Sequence, residues 1–211
     1  HDVGPGWAIQ MADELKTIAD LQIAVDNSNF EHECLHLPNF LTTLVPQDKK
    51  LFFKQEQDIA VSFMGSTRYL DRIQYLNEIH QKNPKILIGG GLRETRWTIE
   101  KYASMIRRSK ININFCKHAL GFSQTKGRVA EVLASGSMLL EEKNECTSKL
   151  FSPGIDYIEF ENVKDLLSKV DYYKENEEER LSIAESGHQS YLKNYSSDCF
   201  WKRVFKRLGL K

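Results

Sequence analysis

The chain has 211 residues, and its 29 Lys and Arg balance 29 Asp and Glu, so it holds no surplus of cations for neutralising the backbone of a long nucleic acid. A hydrophobic share of 41%, a charged share of 27% and a mean hydropathy of -0.47 exclude a disordered, collagen-like or membrane-bundle chain. The length suits one full domain with room for part of a second. Cys34, Cys116, Cys146 and Cys199 include no C-x-x-C pair, which fits neither a zinc site nor a disulfide framework and points to a reducing cytosol. The first residues lack a signal peptide, and the missing initiator Met suggests a fragment or a processed product.

After the breaker Gly4-Pro5-Gly6, Met11, Leu15 and Ile18 recur at helical spacing and Leu21 to Val25 is a short apolar run, so a helix and then a strand are predicted. Pro46 to Asp58 is polar enough to connect two units, with Leu51, Phe52 and Phe53 docking onto one of them, and places a boundary at residues 46–58. Beyond it, Ile59 to Phe63 reads as a buried strand. Arg68 to Asn83 reads as a helix with Leu70, Ile73, Leu76 and Ile79 inward, and Lys85 to Ile88 as a second strand running into Gly89-Gly90-Gly91.

Thr98 to Arg108 carries Ile99, Tyr102, Ala103 and Ile106 at helical spacing, and Ile111 to Phe115 follows with a period of two. Gly127 to Ser135 predicts a short helix closed by Gly136, and Ser137 to Leu140 and Ile155 to Phe160 predict strands. Val163 to Tyr191 gives one or two charged helices, in which Asn176-Glu-Glu-Glu-Arg180 suits a helix start. Strands alternating with helices imply an α/β fold, a parallel sheet covered on both faces. The last helix, Asp198 to Leu208, gathers Phe200, Trp201, Val204, Phe205 and Leu208 on a stripe that needs a partner surface.

In such a sheet ligands bind beyond the carboxyl ends of the strands. After the first of these strands comes Met64-Gly65-Ser66-Thr67-Arg68, where Gly65 lets the backbone approach a ligand and the helix start offers amides to an anion, although any strand-to-helix turn calls for the same residues. Gly89-Gly90-Gly91 admits a base or sugar, or is a plain loop. Between Lys101 and Ala130 there is no Asp or Glu. Of the seven cations in that stretch, Arg107, Arg108 and Lys110 fit a solvated helix end. Lys117, Lys126 and Arg128 fall at the carboxyl edge, where they and the helix N-terminus at Gly127 suit a diphosphate. Glu131, one turn past Arg128 on an apolar helix, needs a partner, and two ribose hydroxyls or an internal Arg would each satisfy it. His118 after the third strand reaches the same ligand's phosphates or sugar, or is a loop histidine. His32 and His36 flank Cys34 without a carboxylate cluster and read as solvent-facing rather than as metal ligands. No H-E-x-x-H or G-x-x-x-x-G-K-[ST] motif supports a zinc protease or a P-loop kinase.

The order of Gly65-Ser66, a helix with Arg72, Ser109-Lys-Ile-Asn-Ile-Asn114, Arg128-Val-Ala-Glu131, Ala134-Ser-Gly136, Phe151-Ser-Pro-Gly154, Tyr157-Ile-Glu-Phe160 and Arg180-Leu-Ser-Ile-Ala184 resembles the carboxyl-terminal half of group 1 glycosyltransferases. Within them it resembles the spore-maturation CgeB-like branch, over about residues 35 to 205 with Lys126 to Leu140 as the specific core. The resemblance implies the GT-B fold, two Rossmann-like domains facing across a cleft, of which the second binds a nucleotide sugar. Residues 59–192 would then be that domain, 1–45 a remnant of the preceding one, 46–58 the linker and 193–211 a terminal amphipathic helix.

By the same resemblance Glu131 holds the donor ribose, Arg128 and Lys126 hold its diphosphate, Gly65 and Ser66 lie near the phosphates, and Arg72 contributes. Many retaining members carry a second Glu eight positions before the ribose-binding one, and here that position is Ser123. The implied activity is transfer of a sugar from a nucleotide diphosphate sugar to a glycan, lipid or protein acceptor, with no metal cofactor and with the acceptor domain upstream. The rival readings are a non-catalytic nucleotide-sugar-binding or interaction module and a GT-B-fold nucleotide-sugar epimerase. The basic terminal helix also permits peripheral membrane contact, although packing on its own protein explains the same stripe.

Overall fold

The computed structural model describes residues 56–67, 70–89, 97–117 and 123–210, and the backbone of two short parallel strands, β1 (Ile23–Ala24) and β2 (Leu35–His36). The expected helix around Met11, Leu15 and Ile18, the segment Leu51–Phe53, Gly90 and Gly91, His118, and the side chains of His32, Cys34 and His36 lie outside the described residues.

Five strands build a parallel sheet: β3 (Ile59–Met64), β4 (Leu87–Gly89), β5 (Ser109–Asn114), β6 (Met138–Glu142) and β7 (Ile158–Phe160). They lie in the order β4-β3-β5-β6-β7. The chain steps outward from β3 to β4, then returns to the other side of β3 to lay down β5. One face is covered by α1 (Leu70–Lys82) and α5 (Val163–Glu175), where Leu76, Ile79, Leu166 and Val170 pack on Val61, Phe63, Ile111, Ile113 and Leu140. The other is covered by α2 (Ile99–Arg108) and α3 (Gly127–Ala134), where Ala103, Ile106, Val129 and Leu133 meet Met64 and Leu139. The connections after β3 and β5 therefore leave to opposite faces, and a crevice opens between the carboxyl ends of these two strands.

Burial of both faces explains why the period-two pattern of β5 is not an inside-outside pattern. Asn112 and Asn114 are as buried as Ile111 and Ile113, and their amides are satisfied by neighbouring strands and by α2. Ser62 donates to Asn112, Asn112 donates to the Ile106 carbonyl, and Asn114 donates to Glu141.

Three sequence expectations change. In α1 Leu76 and Ile79 face inward as expected, but Ile73 is exposed and Arg72 beside it turns inward: its guanidinium lies 5.6 Å from the Phe63 ring centre and 5.4 Å from that of Phe115. Ile99, the first residue of α2, is also exposed, leaving Tyr102, Ala103 and Ile106 as the inward face. Ile155 belongs to no strand. It sits in a turn whose amides at 155 and 156 both donate to the Ser152 carbonyl, beside Gly154 at φ +80, and the strand begins only at Ile158. By contrast, Gly136 closes α3 in the left-handed region at φ 64, as its glycine predicts.

The charged region after β7 is two helices, α5 and α6 (Glu177–Tyr195), with Glu177, Glu178 and Glu179 in the first turn of α6. The short α4 (Glu145–Ser148) follows β6, and α7 (Ser197–Arg207) is the last described helix. Only Val204 of the α7 stripe is buried, while Trp201 and Phe205 stack on one another in the open. Among the described residues no helix is long and apolar enough to cross a membrane.

Candidate functional site

The crevice begins where β3 ends. The Gly65 amide donates to the Gly89 carbonyl at 2.8 Å, which ties the ends of β3 and β4, and Nη1 of Arg72 donates to the Ser66 carbonyl at 2.7 Å from below. A Cβ at Gly65 would lie 2.7 Å from Nη1 of Arg128, so glycine is what lets that guanidinium come down onto the turn. Gly89 has a different reason for being glycine: a Cβ there would overlap the Trp97 indole. Lys101 caps the same indole, with its Nζ 4.9 Å from the ring centre.

Arg128 comes from α3, which starts at Gly127 with Lys126 as an N-cap that makes no side-chain capping bond, with no acid in the first turn and with nothing within 4 Å of where a Gly127 Cβ would sit. These features leave the helix start suited to an anion. Nε of Arg128 donates to the Tyr102 hydroxyl at 3.2 Å, and that hydroxyl donates to Oε2 of Glu131 at 2.5 Å. Burial, reinforced by the Glu131 carboxylate against the opposing pull of Arg128, pushes the Tyr102 phenol up to about 12, so it remains a donor at neutral pH. The partner that Glu131 requires is thus a phenol, and no direct ion pair joins Glu131 to Arg128.

The basic segment divides between the two edges of the sheet. Arg108 pairs with Asp58 and Lys110 with Glu177 (3.8 Å) at the amino edge, away from the crevice. Lys117 lies at the carboxyl edge, but its Nζ is 3.0 Å from Oε1 of Glu142, so it is one half of an ion pair and not an isolated cation. Gly65, Ser66, Arg72, Gly127, Arg128 and Glu131, with Lys126 at the helix start, come together; His118 lies outside the described residues. Among the described residues no group of three His, Cys, Asp or Glu side chains is placed to hold a metal ion.

Sequence reasoning missed Tyr102, Trp97 and a pair of carboxylates. β6 runs two residues past Leu140, which carries Glu141 and Glu142 into the buried end of the sheet. Oε2 of Glu142 accepts the Cys116 amide at 3.2 Å. Glu141 is fully enclosed and accepts from Asn114 at 2.7 Å. Burial pushes its carboxyl up from 4.5 to about 8. The signal was two adjacent acids at the end of an otherwise buried strand.

A carboxyl raised in this way binds its proton more tightly in the folded chain. Its stabilising contribution is therefore complete below about 4.5 and is lost as the pH rises to about 8, by up to about 1.4 kcal/mol for each pH unit of that window. Glu141→Gln, which cannot ionise, is expected to flatten that slope. Denaturant unfolding at about pH 6 and about pH 8.5 checks this, and equal slopes for both proteins would contradict it.

A family model described as "Glycosyl transferase-like" matches residues 50–205. A search of curated proteins finds no match. Among solved structures, HepE from Anabaena in complex with UDP-glucose is similar at a TM-score of 0.64 and 11% identity, over 95% of this chain and 67% of that one. TarM is similar at 0.63 and 12%, over 99% of this chain and 47% of TarM, so the chain spans about half of TarM's length. The carboxyl-terminal domain of the group 1 glycosyl transferase LpcC from Francisella tularensis is similar at 0.54 and 14%, over 72% of this chain and 95% of that domain. At such identities the likeness speaks for the fold, an α/β Rossmann-like sheet of the kind that GT-B proteins carry.

Proposed function

The chain belongs to the glycosyl transferase-like family, and from that premise we propose that it is the donor-binding half of a GT-B glycosyltransferase that uses a nucleotide diphosphate sugar. The observation that carries the proposal is the convergence of Gly65, Arg128, Tyr102 and Glu131 at the carboxyl-end crevice between β3 and β5. A guanidinium and an uncapped helix start stand there for a diphosphate, and a carboxylate one turn along stands for the ribose diol. HepE and a TarM variant from S. aureus were solved with UDP-glucose and UDP respectively, which makes UDP the first probe.

In the proposed reaction an acceptor hydroxyl attacks the anomeric carbon of the donor sugar. The bond from that carbon to the β-phosphate oxygen breaks, and its electron pair stays on the diphosphate. Arg128, Lys126 and the first amides of α3 meet the charge that develops there, which is the task a divalent ion performs elsewhere. The base that takes the acceptor proton and the glycan, lipid or protein acceptor are assigned to the upstream domain, of which residues 1–45 are a part, joined through 46–58. Within the family we place the chain in the CgeB-like branch on the motifs from Lys126 to Leu140. The exposed aromatic face of α7 supports a terminal helix that packs toward the upstream domain.

Thermal unfolding with UDP, GDP, ADP, TDP and CMP, with and without Mg2+, tests the reading. One diphosphate is expected to raise the midpoint equally with and without Mg2+, because a ligand at 100 times its Kd stabilises the folded state by about 2.7 kcal/mol. A shift that requires Mg2+ would contradict metal-independent binding. No shift with any of the nucleotides would contradict a preformed donor site.

A further inference from the structure

We infer that Tyr102 is a positioning residue of this site: its hydroxyl, lodged between Arg128 and Glu131, keeps the two from closing on each other, so that the guanidinium stays available to the diphosphate and the carboxylate to the ribose. As to the ligand, the inference rests on the donor-site reading; as to the spacer, it rests on geometry alone. Arg128 and Glu131 are three residues apart on α3, a spacing at which opposite charges meet directly on a helix surface. They do not meet here. Nε of Arg128 donates to the phenol oxygen at 3.2 Å, and the phenol donates onward to Oε2 of Glu131 at 2.5 Å.

A hydroxyl can fill this place because it accepts and donates at once. The ring is held by α2, where Tyr102 shares the inward face with Ala103 and Ile106, so the oxygen is delivered from a different helix to the one that carries the charges. The other end of the guanidinium, Nη1, is meanwhile turned onto Gly65. Were the hydroxyl absent, the nearest counter-ion to each charge would be the other, one turn away on the same helix. A phosphate or a ribose would then have to break that pair before binding.

Tyr102→Phe keeps the ring and removes only the oxygen. In titration calorimetry of the full chain with UDP and with inorganic pyrophosphate, Tyr102→Phe is expected to weaken both by about tenfold or more, the scale of one lost charged hydrogen bond. Adding Glu131→Gln to Tyr102→Phe is expected to restore pyrophosphate binding, because a neutral amide does not hold the guanidinium. A merely structural tyrosine would give no such rescue, and thermal unfolding of each variant checks that the fold is intact. The crystal structure of Tyr102→Phe is expected to show Arg128 and Glu131 in direct contact. Unchanged affinity for both probes, or a Tyr102→Phe structure with the two groups still apart, would overturn the inference. If the unsubstituted chain binds neither probe, the donor-site reading fails, while the Tyr102→Phe structure still decides whether the phenol is a spacer.

Discussion

Arg128→Ala is expected to weaken UDP binding by about a hundredfold, close to 2.7 kcal/mol, while changing the affinity for uridine little. The guanidinium reaches from the start of α3 to the end of β3, with Nη1 against Gly65 and Nε on Tyr102. Phosphate oxygens placed there would take charge-assisted bonds from the side chain as well as bonds from the first amides of the helix, and only the former are lost on truncation. The fold should survive, since Arg128 is only half-buried and the core residues of α3 are Val129, Ala130, Val132 and Leu133. Titration calorimetry with UDP, UMP and uridine reads the effect as a loss that grows with the number of phosphates. Equal losses for UDP and uridine would contradict the phosphate role.

Gly187→Ala is expected to cost about 3 kcal/mol or more of folding stability, at or beyond the upper end of ordinary overpacking. Gly187 is where α6 crosses α3 closely enough for the His188 ring to meet the Leu133 carbonyl at 3.0 Å. A Cβ at 187 would stand 2.3 Å from the Asp156 carbonyl oxygen and 2.7 Å from Cδ2 of Leu133. The first of these is backbone in the turn before β7, so the helix or the turn must shift. Asp156 also anchors that turn through Ser152 and Ser186, so a shift breaks two further hydrogen bonds. Gly127→Ala serves as the control, because nothing lies within 4 Å of its added carbon. Denaturant unfolding of both variants checks the contrast, and comparable stabilities would contradict the packing account.

The alternation of elements was legible along the chain from Ile59 onward, because apolar spacing of two, three and four residues reports burial directly. The errors arose where a long-range contact overrode that spacing. Ile73 counts as apolar in any periodicity, yet it is exposed, and beside it the charge of Arg72 is favoured over the Phe63 and Phe115 rings while Leu76 and Ile79 stay inward. β6 ends by periodicity at Leu140, but Asn114 and the Cys116 amide on the neighbouring strand and its loop receive Glu141 and Glu142. Those partners are 26 or 27 residues away and are joined only by sheet register.

At the site, Gly65, Arg128 and Glu131 could be singled out by an acid-free basic segment, a glycine after a strand and a carboxylate on an apolar helix. Tyr102 could not. In the pattern Ile99, Tyr102, Ala103, Ile106 it counts as one more inward residue, and only the packing of α2 beside α3 shows that its oxygen lies between two charges. Gly89 was equally ambiguous until Trp97, eight residues on, proved to occupy the space a side chain would need.

The claim on which the account depends is that a nucleoside diphosphate binds at the carboxyl-end crevice between β3 and β5. The most direct measurement is a crystal structure of the chain with UDP bound. The account predicts the diphosphate against Gly65, Arg128 and the first amides of α3, with the ribose hydroxyls on Glu131. A nucleotide seated at the amino edge of the sheet, or at the crevice with its ribose away from Glu131, would contradict it.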